Sequence, residues 1–174
     1  ADVYAITKDK RMLKLAYQFS DQRILNPLIN QEDKLNGLHA NTQIPKVIGF
    51  ERIAMLNHDK DYQQAAHFFW QTVVNHRTTA IGGNSVREHF NPSDDFSTMI
   101  SSVEGPETCN SYNMLKLSKL LYETEGTANY VDYYERTLYN HILSSQNPKG
   151  GFVYFTPMRP NHYRVYSQPQ TSFW

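Results

Sequence analysis

The chain has 174 residues, with 17 Lys plus Arg balancing 17 Asp plus Glu. That length supports one domain with a real core, while zero net charge without a basic run argues against a surface that tracks nucleic-acid phosphates. No apolar stretch approaches the roughly 20 residues needed to span a bilayer, so neither a nucleic acid nor a membrane is an expected partner.

Residues 3–19 read as one amphipathic helix, with Ile6, Leu13, Ala16 and Tyr17 near one stripe. The chain opens directly in this helical pattern without a signal peptide, as a mature or trimmed product would. Asn26-Pro27 breaks the pattern. A polar stretch then leads to Leu38-His39-Ala40-Asn41-Thr42-Gln43. Here Asn41 or Thr42 is expected to cap a helix, with Pro45 in its first turn. That helix runs to about Leu56. Asn57 to Lys60 turns the chain, and Asp61 caps a second helix, Tyr62 to His76.

A similar unit follows. A helix from Thr108 to Tyr122 ends at Gly126, the usual residue just past a helix. Another runs from about Asn129 to Ser144. Aligning Asp61-Tyr62 with Asn129-Tyr130 gives an offset of 68 residues. The chain therefore reads as predominantly all-α. Its antiparallel helix hairpins, about 41–76 and 108–144, are what part of an (α/α)6 barrel, or toroid, would show. Between them lies the loop 77–107, long enough to suggest function. After Pro148 the chain reads as β-prone or irregular, since Pro157, Pro160 and Pro169 forbid a long helix.

The 12 Tyr, 9 Phe and 2 Trp suit either a carbohydrate-facing cleft or amphipathic packing between helices. Cys109 is the only cysteine, so no internal disulfide is available. The compartment, cytoplasm or periplasm, stays open. Free Cys is usually a buried small hydrophobe. Cys109, however, opens a helix, where the dipole favours a thiolate. Glu107 lies two residues earlier, on the same side of extended backbone. A carboxylate beside a thiolate is repulsive unless a cation such as zinc accepts both. The pair makes half of such a site.

Glu88 is either a loop carboxylate paired with Arg87 or a general acid/base partly desolvated by Phe90. Glu104 competes for that role. His39 and Gln43 either belong to a helix cap or face sugar hydroxyls. His58, His67, His76, His89, His141 and His162 show no metal-like pairing and read as structural. Tyr154 and Arg159 are strand and surface residues, unless Tyr154 contacts a sugar or a thiolate.

Four stretches occur in one order: Leu38-His39-Ala40-Asn41-Thr42-Gln43-Ile44-Pro45-Lys46, Gly82-Gly83 followed by Glu88-His89-Phe90, Glu107-Thr108-Cys109, and Tyr154-Phe155-Thr156-Pro157. From about residue 30 onward this resembles glycoside hydrolase family 127, the β-L-arabinofuranosidases, and its close relatives. The resemblance implies an (α/α)6 barrel followed by β-sandwich domains. It also implies retaining hydrolysis of terminal L-arabinofuranosides by a zinc-bound cysteine thiolate. On this match Glu88 is the acid/base, Glu107 and Cys109 are zinc ligands, and His39, Gln43 and Tyr154 line the sugar pocket. The family continues past a Phe-Trp pair into adjacent cysteines that supply the nucleophile and a further ligand. This sequence stops at Phe173-Trp174. Residues 1–174 are therefore expected to be a central fragment of one barrel domain, inactive alone, with Zn2+ bound in the complete enzyme. Two other functions compete: a non-catalytic helical carbohydrate-binding or scaffold module, and a carboxylate-only α/α-toroid hydrolase or lyase.

Overall fold

A computed structural model describes residues 1–168; Pro169 and the Phe173-Trp174 pair lie outside them. The helices are α1 (Asp2–Thr7), α2 (Lys10–Gln18), α3 (Gln22–Ile29), α4 (Ala40–Asn57), α5 (Lys60–His76), α6 (Ser97–Ser101), α7 (Thr108–Glu125) and α8 (Ala128–Thr137). None is long and apolar enough to cross a membrane.

The expected first helix is two. Lys8 adopts left-handed backbone (φ 58°), and Asp9 caps α2 by accepting from the Arg11 amide. Ile6, expected on the buried stripe, is exposed. Asn26-Pro27 does not end a helix, because Asp21 caps α3 and Pro27 lies inside it. Burial of Ile24, Leu25 and Leu28 holds that helix in place despite the missing N–H.

α4 and α5 form one antiparallel hairpin, and α7 and α8 form another. The cap of α4 is His39 rather than Asn41 or Thr42, and Pro45 is the sixth helical residue. Asp59, not Asp61, caps α5. Tyr17 fixes that turn, donating to Asp59 (2.8 Å) and accepting from Asn57 (2.8 Å). The offset of 68 residues recurs at three boundaries, Ala40 to Thr108, His58 to Gly126, and Lys60 to Ala128, and is lost only at the end of the second helix, where α5 runs to His76 and α8 stops at Thr137. His58 and Gly126 end their helices in the same left-handed conformation, and Tyr62 and Tyr130 are each buried third residues.

α4 and α7 pack in parallel. Asn41 meets Asn113 near their N-terminal ends, and Glu51 meets Thr124 further along. Phe50, Tyr62, Phe69, Phe90, Trp70, Tyr130 and Tyr133 fill the space between the helices. Trp70 stacks edge-on against Tyr130 (4.6 Å) and donates to Ser118 (2.8 Å), satisfying its indole in the core.

The last helix was expected to run unbroken to Ser144. Beyond α8 it widens into a π-helical turn at Leu138–Ile142, followed by a 3-10 turn at Leu143–Ser145. Loop 77–107 contains α6 and is ordered by isolated bridges at Thr78–Asn84, Val86–His89 and His39–His89. Buried Arg77 supports it, bonding Asp33 (2.6 Å) and the Asn91 carbonyl (2.9 Å). The β-prone stretch forms isolated bridges, Gln146–Phe152 and Glu107–Phe155.

Candidate active site

Because α4 and α7 are parallel, their N-terminal ends lie together. His39 precedes one helix and Glu107 the other, again 68 positions apart. Two further segments reach this end. The Glu88 carbonyl accepts from the Ala40 amide (2.8 Å), and the Pro106 carbonyl accepts from the Thr156 amide (2.8 Å). His39, Glu88, Glu107, Cys109 and Tyr154, spread over more than 110 residues of sequence, are thereby gathered into one site.

Glu88 stands at the tip of a two-residue hairpin. The Val86 and His89 backbones exchange two hydrogen bonds of 2.9 Å around Arg87 and Glu88. Both tip residues have positive φ, 47° and 67°. This pattern matches a type I′ turn, which ordinarily selects Asn-Gly. Non-glycine residues held there cost on the order of 1 kcal/mol each, strain that tends to be found at functional positions. The turn aims Glu88 between two partners. Tyr154 donates to Oε1 (3.0 Å), and His39 Nε2 lies 3.5 Å from Oε2. His39 Nδ1 accepts from the Thr42 amide (3.2 Å), which leaves Nε2 as the protonated nitrogen facing the carboxylate. Phe90 does not desolvate Glu88; it is buried in the core against Phe69. Arg87 pairs with Glu104 (2.8 Å) instead of Glu88.

Glu107 is 1 % exposed, and its Oε2 has no hydrogen-bond partner among the described residues. Burial raises its pKa. The Tyr154 hydroxyl, bonded to this carboxylate as well, opposes the rise; Glu88 adds to it, and His39 offsets part. Cys109 is half-buried, and burial, followed by the charge of Glu107, pushes its thiol up. The thiolate expected from the helix N-terminus is therefore disfavoured, because desolvation and the adjacent carboxylate outweigh the dipole. Both effects reverse if a cation sits between the two side chains. Among the described residues no group of three or more His, Cys, Asp or Glu side chains is arranged to hold a metal. Glu107 and Cys109 would by themselves offer a cation two donors. Gln43 is buried, its amide used by the His39 carbonyl (3.3 Å) and Lys46 (2.9 Å).

His141, read from the sequence as structural, is fully buried behind this site. Its Nδ1 meets Ser111 (2.6 Å), and a Cβ on Gly83 would stand 2.9 Å from its ring and 2.6 Å from Pro106. Burial, then the charge of Arg164, lowers its pKa to about 4 against a smaller opposing pull from the Pro106 carbonyl, so the ring is neutral at pH 7. The π-helical turn that carries it has no signature in the local sequence; the adjacent Gly82-Gly83 pair was the available hint.

Two hairpins with parallel inner helices, and a carboxylate site at their N-terminal ends, define a segment of an α/α barrel. All of residues 1–174 match the model of the β-L-arabinofuranosidase GH127 catalytic domain, and the chain belongs to that family. Solved structures share the fold. One is a GH127 β-arabinofuranosidase, 24% identical with a TM-score of 0.73, matched over 90% of this chain and 26% of its own. Another is a GH127 β-L-arabinofuranosidase from Geobacillus stearothermophilus T6, 22% identical with a TM-score of 0.70, matched over 88% of this chain and 29% of its own. A third, described as a glycoside hydrolase, is 16% identical with a TM-score of 0.71, over 99% and 32%. The chain thus spans about a quarter to a third of the structures it matches. Comparison with curated proteins gives no match.

Proposed function

We propose that this chain carries the acid/base half of a retaining glycosidase acting on terminal L-arabinofuranosides. The observation behind the proposal is the Glu88 carboxylate held by Tyr154 at 3.0 Å and faced by His39, beside a buried Glu107 with an unpartnered oxygen. Protonated Glu88 gives its proton to the glycosidic oxygen as the bond to the sugar breaks. The resulting carboxylate then takes a proton from the water that releases the sugar. Tyr154 orients that carboxyl group by hydrogen bonding to Oε1. His39 donates from Nε2, either to Glu88 or to a sugar hydroxyl.

Glu107 and Cys109 suit zinc, which takes carboxylate and thiolate together, and the orphaned Oε2 is the atom a metal would satisfy. When bound, zinc would hold thiolates deprotonated at neutral pH. In this reading a cysteine outside residues 1–174 is the nucleophile, and sulfur from the same region completes the ligand set. The substrate is a glycan with a terminal pentofuranose.

The test is Glu88→Gln in the catalytic domain completed to the length of its relatives. The variant should lose about 10²–10⁴-fold in kcat/KM, which reports the step that breaks the glycosidic bond, on a disaccharide, whose leaving group needs protonation. The loss should be much smaller on a nitrophenyl glycoside, which does not. Equal losses on both substrates, or full activity on the disaccharide, would assign the acid to another residue.

A further inference from the structure

The Glu88 hairpin is held to the start of α4 by backbone. The Glu88 carbonyl accepts from Ala40 (2.8 Å), and the Phe90 amide donates to Leu38 (2.9 Å). Glu107 and Cys109 belong to the start of α7 instead. The acid/base works beside the proposed metal pair only if the hairpin and α7 keep a fixed spacing. At the surface, Arg87 meets Glu104 through backbone (3.0 Å) and through side chains (2.8 Å) that are 74 % and 45 % exposed. Exposed ion pairs constrain little. Tyr154 bonds both carboxylates, but it joins side chain to side chain and leaves the backbones free.

A buried tie runs beneath. Asn84, Ser85 and Asn110 are completely buried. Ser85 immediately precedes the hairpin, and Asn110 is the third residue of α7, next to Cys109. The Asn110 NH2 donates to Ser85 Oγ (2.7 Å) and, at longer range, to Asn84 Oδ1 (3.4 Å). One amide thus connects the segment carrying Glu88 with the helical turn carrying Cys109.

Two features separate this tie from ordinary core packing. Ser85 has φ 76°, left-handed backbone in which glycine is the default residue and other side chains are strained. A serine there is held against its own backbone preference. Its hydroxyl is what glycine would lack, and that hydroxyl meets Asn110. The cluster is also incompletely satisfied: Asn110 Oδ1 and Asn84 Nδ2, both buried, have no partner among the described residues. A partly satisfied buried polar cluster is a poor source of stability. What it supplies is direction and distance.

We infer that Asn110 is a positioning residue that, through Ser85, sets the Glu88 carboxyl group at its working distance from the Glu107–Cys109 pair. This role rests on the hydrolase reading above. Both side chains are fully buried, so they act through Glu88 rather than on the sugar. Misplacing a reacting group by about 1 Å can cost on the order of 100-fold in rate, and here the cost falls on the step that needs the acid.

Ser85→Gly relieves the strained backbone and deletes the hydroxyl, so its Tm should stay within a few degrees of wild type. Asn110→Ala deletes the donor. Each is made in the completed catalytic domain, together with the double variant. The value of kcat/KM is measured on an arabinofuranosyl disaccharide, whose leaving group needs a proton, and on a nitrophenyl arabinofuranoside, whose leaving group does not. The readout is the ratio of the two values, which a general loss of folded enzyme does not move. Each single variant should lower that ratio at least about tenfold. The double variant should fall no further than the worse single one, because both remove the same contact. A smaller fall in either single variant, or a double variant that multiplies the two losses, overturns the role. Should Asn110→Ala fail to fold, Ser85→Gly decides alone. If the wild-type protein cleaves neither substrate, the hydrolase reading fails by itself, and crystal structures of wild type and Ser85→Gly decide the positioning. A Tyr154–Glu88 bond present in wild type and broken in the variant supports it; a bond kept in both, or absent from both, overturns it.

Discussion

The Tyr154 hydroxyl donates to Oε1 of Glu88 across 3.0 Å, and the same hydroxyl bonds Glu107. One phenol thus ties the proposed acid/base to the proposed metal ligand. Burial, then these two carboxylates, pushes the Tyr154 pKa up, so it stays a protonated donor at any working pH.

Tyr154→Phe removes that tie and leaves the ring packed on Phe155. A hydrogen bond to a charged group contributes about 1.5–3 kcal/mol, which corresponds to roughly a 10–100-fold loss in kcat/KM. Tm should change little, because Tyr154 lies outside the buried core. Steady-state kinetics beside a thermal melt checks both. A variant that melts much earlier while keeping its rate per folded molecule would make Tyr154 a packing residue.

Gly83→Ala tests how closely the site depends on its support. The added methyl carbon meets Pro106 at 2.6 Å and the His141 ring at 2.9 Å, both closer than real contacts allow. Pro106 immediately precedes Glu107, so the displacement falls on the proposed metal pair. Overpacking of this kind costs about 1–3 kcal/mol. Differential scanning calorimetry should show Tm lowered by several degrees, and activity should fall at least tenfold at temperatures where the variant is folded. Wild-type values for both would mean that the segment yields freely.

Glu51 sets a pH dependence away from the site. It is buried between α4 and α7, accepts from Thr124 (3.0 Å), and has a second oxygen without a partner among the described residues. Burial raises its pKa to about 7, with Thr124 opposing and Glu125 adding to the rise. The folded protein therefore holds this proton more tightly than the unfolded chain. The contribution to stability is fully present below about pH 4.5 and is lost as pH rises through about 7. The loss amounts to about 3 kcal/mol. Glu51→Gln should remove that part of the slope and raise stability at pH 8 relative to wild type. Urea melts at pH 5 and pH 8 measure it, and parallel pH profiles for the two proteins would contradict it.

The hairpin repeat was legible because turn residues and buried tyrosines mark it directly, at an offset that the helix boundaries reproduce. Cys109 and Glu107 could be read as a pair from their spacing alone, two residues apart at the start of a helix. His39 was legible only as part of a capping cluster, since imidazole is an unusual acceptor for a helix N-terminus and Asn41 and Thr42 stand next to it. The sequence around Glu88 left it level with a solvated loop carboxylate, and family resemblance singled it out. Its type I′ turn carries Arg-Glu where Asn-Gly would announce it, and the strain is borne by bridges to residues 38–40 that are distant in sequence. Glu51 gave no signal, because a glutamate inside a helix reads as solvated until a second helix covers it.

Zinc content tests the central claim most directly. Elemental analysis of the catalytic domain, completed to the length of its relatives, should give about one zinc per chain. Glu107→Gln and Cys109→Ser should each lower that occupancy together with activity. A metal-free preparation with full activity, or variants that keep both zinc and rate, would contradict the account.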